Sequence, residues 1–232
     1  MWIVNNVGVS HDFPTDFVDT SPEELTTITN VNVSATLRIT SLIAPAMVSR
    51  CVPPPFFFFG CVALTIPCDG FTRKKGLILN IGSFAGSAPT PMLAVYAGSK
   101  SFLRTWSDSL AAEMRPKGVI VEHVNTYFVV RLSLSPSLLP CLNMCNALGA
   151  SQTSAMSKIR RASLFIPTPK DFVRTVLTKL APGTITPYWT HALVAAVMTL
   201  APPKVVLAYS HALQKDVRRR ALAKQARLAK QE

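Results

Sequence analysis

Residues 76–100 read GLILNIGSFAGSAPTPMLAVYAGSK. Gly76 to Ile81 is a short, continuous apolar run, the pattern of a strand buried on both faces of a parallel sheet. A Gly/Ser/Pro-rich loop follows from Gly82 to Pro91, and helical spacing resumes from Val95 to Met114. Arg115-Pro116-Lys117-Gly118 closes that helix, and Val119-Ile120-Val121-Glu122-His123-Val124 reads as the next strand. Upstream, Trp2 to Val7 is a short strand that runs into Asn5-Asn6-Val7-Gly8. Ser21 with Pro22 and Glu24 has the form of a helix start, Ser21 as N-cap and Pro22 at N1. Helical periodicity then continues through Ile28, Val31, Leu37 and Ile39 to about Met47. Strands alternating with helices predict an α/β fold, a Rossmann-like parallel sheet with flanking helices and right-handed crossovers.

The helix after the Gly76 strand begins with Tyr96-Ala97-Gly98-Ser99-Lys100. Positions i and i+4 share a helix face, so Tyr96 and Lys100 project together. A lone tyrosine titrates near about 10 and is inert as an acid or base at neutral pH. A cation beside it favours phenolate and brings it toward the working range. Ser83 lies at the carboxyl end of the strand, where parallel α/β sheets bind ligands. Asn32 lies in the preceding helix, within Asn30-Val31-Asn32-Val33-Ser34. Each of these residues has an ordinary structural explanation when taken alone: a buried tyrosine, a solvated lysine, a loop serine, a helix-surface asparagine. Their joint order and spacing point to chemistry. Gly82 and Gly86 read as loop flexibility rather than a phosphate cradle. His11, His123, His191 and His211 show no metal-ligand spacing, and Tyr188 and Trp189 are expected to anchor the last element.

The pieces NNVG at 5–8, NVNVSA at 30–35, ILNIGSFAG at 78–86 and YAGSK at 96–100 resemble the short-chain dehydrogenase/reductase family. The resemblance implies carbonyl reduction with a nicotinamide cofactor. Tyr96 would donate the proton, and Lys100 would lower its pKa and hold the nicotinamide ribose. Ser83 would bind the substrate carbonyl and Asn32 a relay water. Asn5, Asn6 and Gly8, with Tyr96 and Lys100, would contact the cofactor. HDFPTDF, VNTYFVV, SKIRRASLFIPTPKDFV and TPYWTHAL narrow the resemblance to the fungal very-long-chain 3-oxoacyl-CoA reductases. That subfamily implies NADPH, a long-chain acyl-CoA substrate and reduction to the 3-hydroxyacyl-CoA in very-long-chain fatty-acid elongation. It also implies the other elongation enzymes as partners and residence on the cytosolic face of the endoplasmic reticulum membrane. VNTYFVV stands where many relatives carry a Pro-Gly motif.

Composition sets limits around this reading. The chain has 232 residues, 49% apolar and 16% charged, with a formal net charge of +12. Such an apolar balance predicts surface in contact with lipid or a partner. There is no secretory signal and no uninterrupted apolar run of eighteen residues or more. From Lys215 to Lys230 the tail carries Lys215, Arg218, Arg219, Arg220, Lys224, Arg227 and Lys230 against Asp216. A solvated helix end is the plainest reading, anionic lipid the sharper one. Nucleic acid is not expected, because neither interleaved aromatics nor a binding module accompanies the charge. Residues 1–188 are expected to form the reductase domain and 189–232 an apolar, membrane-associated helical segment with a basic tail.

Two segments interrupt the resemblance: 51–73, with its Phe56-Phe57-Phe58-Phe59 run, and 131–153. All five cysteines, Cys51, Cys61, Cys68, Cys141 and Cys145, fall within them, with no zinc-type spacing. Excising the first joins MVSR to KKGLILN, a connection of ordinary length. The expectation is that both are in-frame translations of retained introns; a genuine insertion, such as a membrane-dipping hairpin, is the competing explanation. The family's Gly-rich phosphate loop and first strands do not occur in the sequence, so the chain reads as N-terminally truncated, without the usual N-terminal membrane anchor. Impaired catalysis is then expected, the alternative being a non-catalytic remnant that keeps only membrane or partner contacts.

Overall fold

The computed structural model describes residues 1–49, 76–129 and 163–230. The two interrupting segments, 51–73 and 131–153, lie outside the described residues. Four parallel strands form one sheet in the order β1 (Trp2–Asn5), β2 (Gly76–Ile81), β3 (Val119–Val124), β4 (Gly183–Ile185). All six residues of β2 are buried, as its unbroken apolar run predicts. Parallel pairing to β1 and β3 uses its hydrogen-bonding groups on both edges. β1 is the edge strand of the described sheet, and Trp2 is exposed there. β4 was not legible in the sequence: three residues are too few to show a period.

Two apolar clusters cover the two faces. Ile3, Ile78, Val119 and Val121 pack with Met47 of α2 (Ala35–Ser49) and with Ala111 and Met114 of α3 (Ala94–Met114). On the other face Leu79, Ile81, Val124 and Val129 meet Phe172 and Val176 of α4 (Pro169–Thr178). Each such buried side chain contributes about 1.5–3 kcal/mol. Alternation along β2, with Ile78 to one side and Leu79 to the other, puts helices on both faces of the sheet.

The helix that begins at Ser21 starts as expected, with the Ser21 hydroxyl accepting from the Glu24 amide at 3.2 Å. It runs as α1 (Pro22–Thr29), one π-helical turn (Asn30–Ser34) and then α2. By length and composition Pro22–Ser49 could cross a membrane. Its buried residues Ile28, Asn32, Thr36, Thr40 and Met47 instead recur on one stripe, turned toward the body. α3 buries Ala97, Lys100, Leu103, Ser107, Ala111 and Met114 at spacings of three and four. Lys100 therefore sits on the core-facing stripe rather than in solvent. Gly118, at φ +75°, takes the left-handed turn that returns the chain into β3. The C-terminal region forms α5 (Trp189–Leu200) and α6 (Pro203–Leu228), separated at Pro202-Pro203.

Candidate active site

The site lies at the carboxyl ends of β2 and β3, where both chains continue side by side. Gly82 N donates to the Val124 carbonyl at 2.9 Å, and Phe84 N to the Thr126 carbonyl at 3.0 Å. This holds Ser83 in extended backbone, where its hydroxyl caps a short turn by accepting from Ala85 N at 3.2 Å. The glycines of this loop serve close packing rather than the flexibility expected of them. A Cβ on Gly82 would overlap the His123 ring, and one on Gly86 would lie 2.6 Å from the Lys100 carbonyl carbon. Neither neighbour can give way, since His123 is buried and the other contact is helix backbone.

The first turn of α3 brings the Tyr96 phenol close to the Ser83 hydroxyl. Burial pushes the Tyr96 phenol up from its ordinary value, and the Ser83 hydroxyl pulls the other way. This differs from the expected lowering by Lys100. The ammonium lies 5.9 Å from the Tyr96 ring centroid and donates to the Ile81 carbonyl at 3.2 Å. Desolvation of Lys100, only 5% exposed, in turn lowers it to about 8. Among the described residues the Ile81 carbonyl is its one acceptor, which leaves two of its three donor positions. Within the chain's own surroundings Tyr96 is therefore the protonated phenol, the form a proton donor needs.

Asn32 occupies the π-helical turn, 2% exposed. Its carboxamide clamps Val9 by both backbone groups, accepting from the amide at 2.7 Å and donating to the carbonyl at 2.9 Å. It also donates to Ser99 Oγ at 2.9 Å, and Ser99 donates to the Tyr96 carbonyl at 2.7 Å. Three of its four hydrogen-bonding positions are filled, leaving one Oδ1 lone pair for a water. Asn32 thus ties the loop after β1 to the helix bearing Tyr96. Ser99 is a residue that the Tyr-x-x-x-Lys pattern does not single out.

Of the residues expected to contact a cofactor, Asn5 is held inside the protein. Its Nδ2 donates to Asn80 Oδ1 at 2.7 Å and Thr40 Oγ1 at 3.1 Å, and Asn80 continues to Ser107 Oγ at 2.8 Å. Asn6 is buried and Gly8 half-buried in the turn beyond β1. The described residues include no cluster that could hold a metal ion.

Sequence reasoning missed the buried ionisable groups beneath the site. Glu122 accepts from the Ala181 amide at 2.9 Å, and burial raises its carboxyl to about 7. Burial lowers His123 to about 4, while its Nδ1 meets Thr184 Oγ1 at 3.2 Å and that hydroxyl donates to Asp108. His191 is fully buried among Phe84, Tyr127, Phe172 and Tyr188, with ring centroids 5.1–6.3 Å away. Tyr188 therefore anchors α5 as expected. Trp189 does not: it is exposed.

Above Ser83 and Tyr96 a cavity of about 720 Å³ extends between the loop Thr126–Phe128 and the helices α5 and α6. Its far wall is apolar, formed by Leu193, Val197 and Met198 of α5 and Val205, Val206 and Leu213 of α6. A small polar end carrying a phenol and a hydroxyl, opening into an apolar chamber, suits a carbonyl at the head of a long hydrocarbon.

The short chain dehydrogenase family model matches residues 57–132. A very-long-chain 3-oxoacyl-CoA reductase of Coprinopsis cinerea is 43% identical over 98% of this chain and 57% of the relative. Those of Laccaria bicolor and Yarrowia lipolytica are 41% and 40% identical over 98% of this chain, and over 57% and 52% of their own lengths. The chain is similar to short-chain dehydrogenases over these stretches. It spans little more than half the length of these relatives. Among solved structures a similar fold occurs in a 7beta-hydroxysteroid dehydrogenase, with a TM-score of 0.61 at 18% identity over 90% of this chain and 66% of that one. A serine dehydrogenase complexed with NADP+ gives a TM-score of 0.51 at 21% identity, over 79% and 63%.

Proposed function

We propose that this chain carries the catalytic centre of an NADPH-dependent reductase that converts a 3-oxoacyl-CoA to the 3-hydroxyacyl-CoA in very-long-chain fatty-acid elongation. The observation that carries the reading is the meeting of Tyr96 and Ser83 at the polar end of an apolar cavity, with Lys100 buried beside Tyr96. The names of relatives at 40–43% identity support the substrate class. The donor set fits the nicotinamide–ribose end of the cofactor: Lys100 has two N–H groups to offer ribose hydroxyls beside the Tyr96 phenol. When bound, that cofactor supplies the hydride.

The chain's own residues do the rest. The Ser83 hydroxyl turns to the 3-oxo oxygen and fixes the carbonyl, with the first carbons of the acyl chain along the apolar wall. Tyr96, held as phenol by burial, gives its proton to the oxygen as negative charge develops there. Asn32 and Ser99 hold the first turn of α3 so that the phenol stays aimed. A similar fold in a dehydrogenase complexed with NADP+ supports the choice of cofactor class. Residues 189–232 serve as the membrane-associated part, on the cytosolic face of the endoplasmic reticulum, among the other elongation enzymes.

Titrating NADPH against the full chain and following its oxidation with a short, water-soluble 3-oxoacyl thioester tests this. Binding with slowed turnover is the expected result, in line with the impaired catalysis expected from the sequence, and micromolar binding with full turnover would overturn that impairment. Neither binding nor turnover would instead favour a non-catalytic remnant.

A further inference from the structure

Several residues that wall the cavity also reach the surface. Leu193 and Val197 on α5, and Val205, Tyr209 and Leu213 on α6, line it while being 38–70% exposed. A closed pocket would have buried walls, so this one opens sideways between the two helices. Along α5 that wall runs from Leu193 to Ala201, about 12 Å at 1.5 Å per residue.

Apolar residues outside the cavity extend the same surface. Leu200, at the end of α5, is 85% exposed, and Trp189 and Leu207 are exposed as well. Phe17 and Val18 are exposed too, in the turn whose Asp16 and Asp19 take both ends of the guanidinium of Arg218, in the basic half of α6, at 2.9 and 3.7 Å. α6 buries no residue at all. An apolar area this broad, with nothing of the described chain across it, marks a contact surface.

Charge identifies what covers it. α6 carries seven basic residues and one acid, and six of the seven lie from Lys215 onward. Its first half is apolar and walls the cavity, whereas its second half exposes Lys215, Arg219, Arg220, Lys224 and Arg227. Apolar surface grading into basic surface mirrors hydrocarbon grading into anionic headgroups, and each Lys or Arg near such a surface gains about 1 kcal/mol.

We propose that an anionic lipid leaflet covers the α5–α6 surface, and that the substrate's acyl tail stays in the lipid and enters the site sideways between these helices. This rests on the acyl-thioester reading above and deepens it. The cavity receives only the head of the chain, so the site does not measure total tail length.

The test uses the full chain with phosphatidylcholine vesicles, with and without phosphatidylserine, floated on a density gradient. Flotation is expected with phosphatidylserine and falls at least about tenfold in the double variant Val18→Glu with Leu200→Glu, whose side chains lie outside the cavity. Circular dichroism checks that this variant folds. Phosphatidylcholine brominated in its tails should quench Trp189 emission, read as the difference from Trp189→Phe. A pyrene-tailed acyl-CoA should bind the chain and lose about tenfold in affinity in Val197→Trp, which fills the cleft but still floats. Absent flotation, unchanged flotation of the double variant, or absent quenching overturns the proposal. So does undiminished acyl-CoA binding by Val197→Trp, or a lipid-free dimer that Leu200→Glu dissolves. None of these readouts needs turnover, so a chain that binds lipid without reducing substrate would sink the reductase reading alone.

Discussion

The floor and the far wall of the cavity are built by opposite means. The floor is polar and cross-tied: Asn32 to Val9 and Ser99, Ser99 to Tyr96, Lys100 to Ile81, Asn5 to Asn80 and Asn80 to Ser107. The far wall is apolar side chains on two helices, and one of those helices buries nothing. Hydrogen bonds fix positions to tenths of an ångström, which proton transfer requires, whereas apolar contact is non-directional and tolerates a range of occupants. The difference locates reactivity in the floor and accommodation in the wall.

The largest effect should come from the floor. Tyr96→Phe removes the proton donor and should lower kcat by about 10²- to 10⁴-fold. NADPH binding should remain near that of the parent, as measured by cofactor fluorescence. If activity survives, the floor is not where the chemistry happens. Gly82→Val tests how tightly that floor is packed: the new side chain must occupy the space of the His123 ring. Destabilisation of about 1–3 kcal/mol or more is expected from overpacking, read as a lowered urea midpoint. A midpoint unchanged within error would mean that His123 swings away.

Glu122 probes the floor through pH. Its folded carboxyl titrates near 7, above the ordinary 4.5, so between those values the folded state holds the extra proton. Stability should therefore fall as pH rises through that window and level off above it. Glu122→Gln keeps an acceptor for Ala181 and should flatten this slope, gaining about 1–3 kcal/mol at neutral pH. Urea midpoints measured at about pH 5 and about pH 7.5 decide it. The smallest effect belongs to the wall. Arg218→Ala breaks the tie between α6 and the Asp16–Asp19 turn, and a partly exposed pair of this kind is worth about 0–1 kcal/mol. Faster hydrogen exchange confined to α6, with global stability unchanged, is the expected outcome. Exchange unchanged in α6 would show that the wall is held by something other than this pair.

The floor was more legible in the sequence than the wall. Tyr96 and Lys100 declare themselves because a helix turns i and i+4 to one side, and β2 and β3 because double burial demands an unbroken apolar run. Asn32 was found by its surroundings, yet nothing in NVNVS announces a π-helical turn, since the extra residue is a property of hydrogen bonding rather than of composition. Glu122 read only as a strand residue and His191 as an ordinary core or surface histidine, because their burial comes from partners far along the chain. The flexibility read into Gly82 and Gly86 missed for the same reason: the atoms that forbid a side chain there belong to His123 and to the backbone of α3. α5 and α6 showed their break at Pro202-Pro203, but not that both face one chamber.

The π-helical turn at Asn30–Ser34 also bears on how this gene can change. Such a turn holds one residue more than an α-helix needs, so losing a single codon there would let the ladder close regularly. Because the wider turn absorbs its extra residue locally, everything beyond it would keep its facing relative to α1. Thr36, Thr40 and Met47 would stay in the core, and the loss would fall on the turn that presents Asn32 to Val9. For this segment, an in-frame deletion of one codon would spare the fold and strike the site, even though it would make the helix more regular.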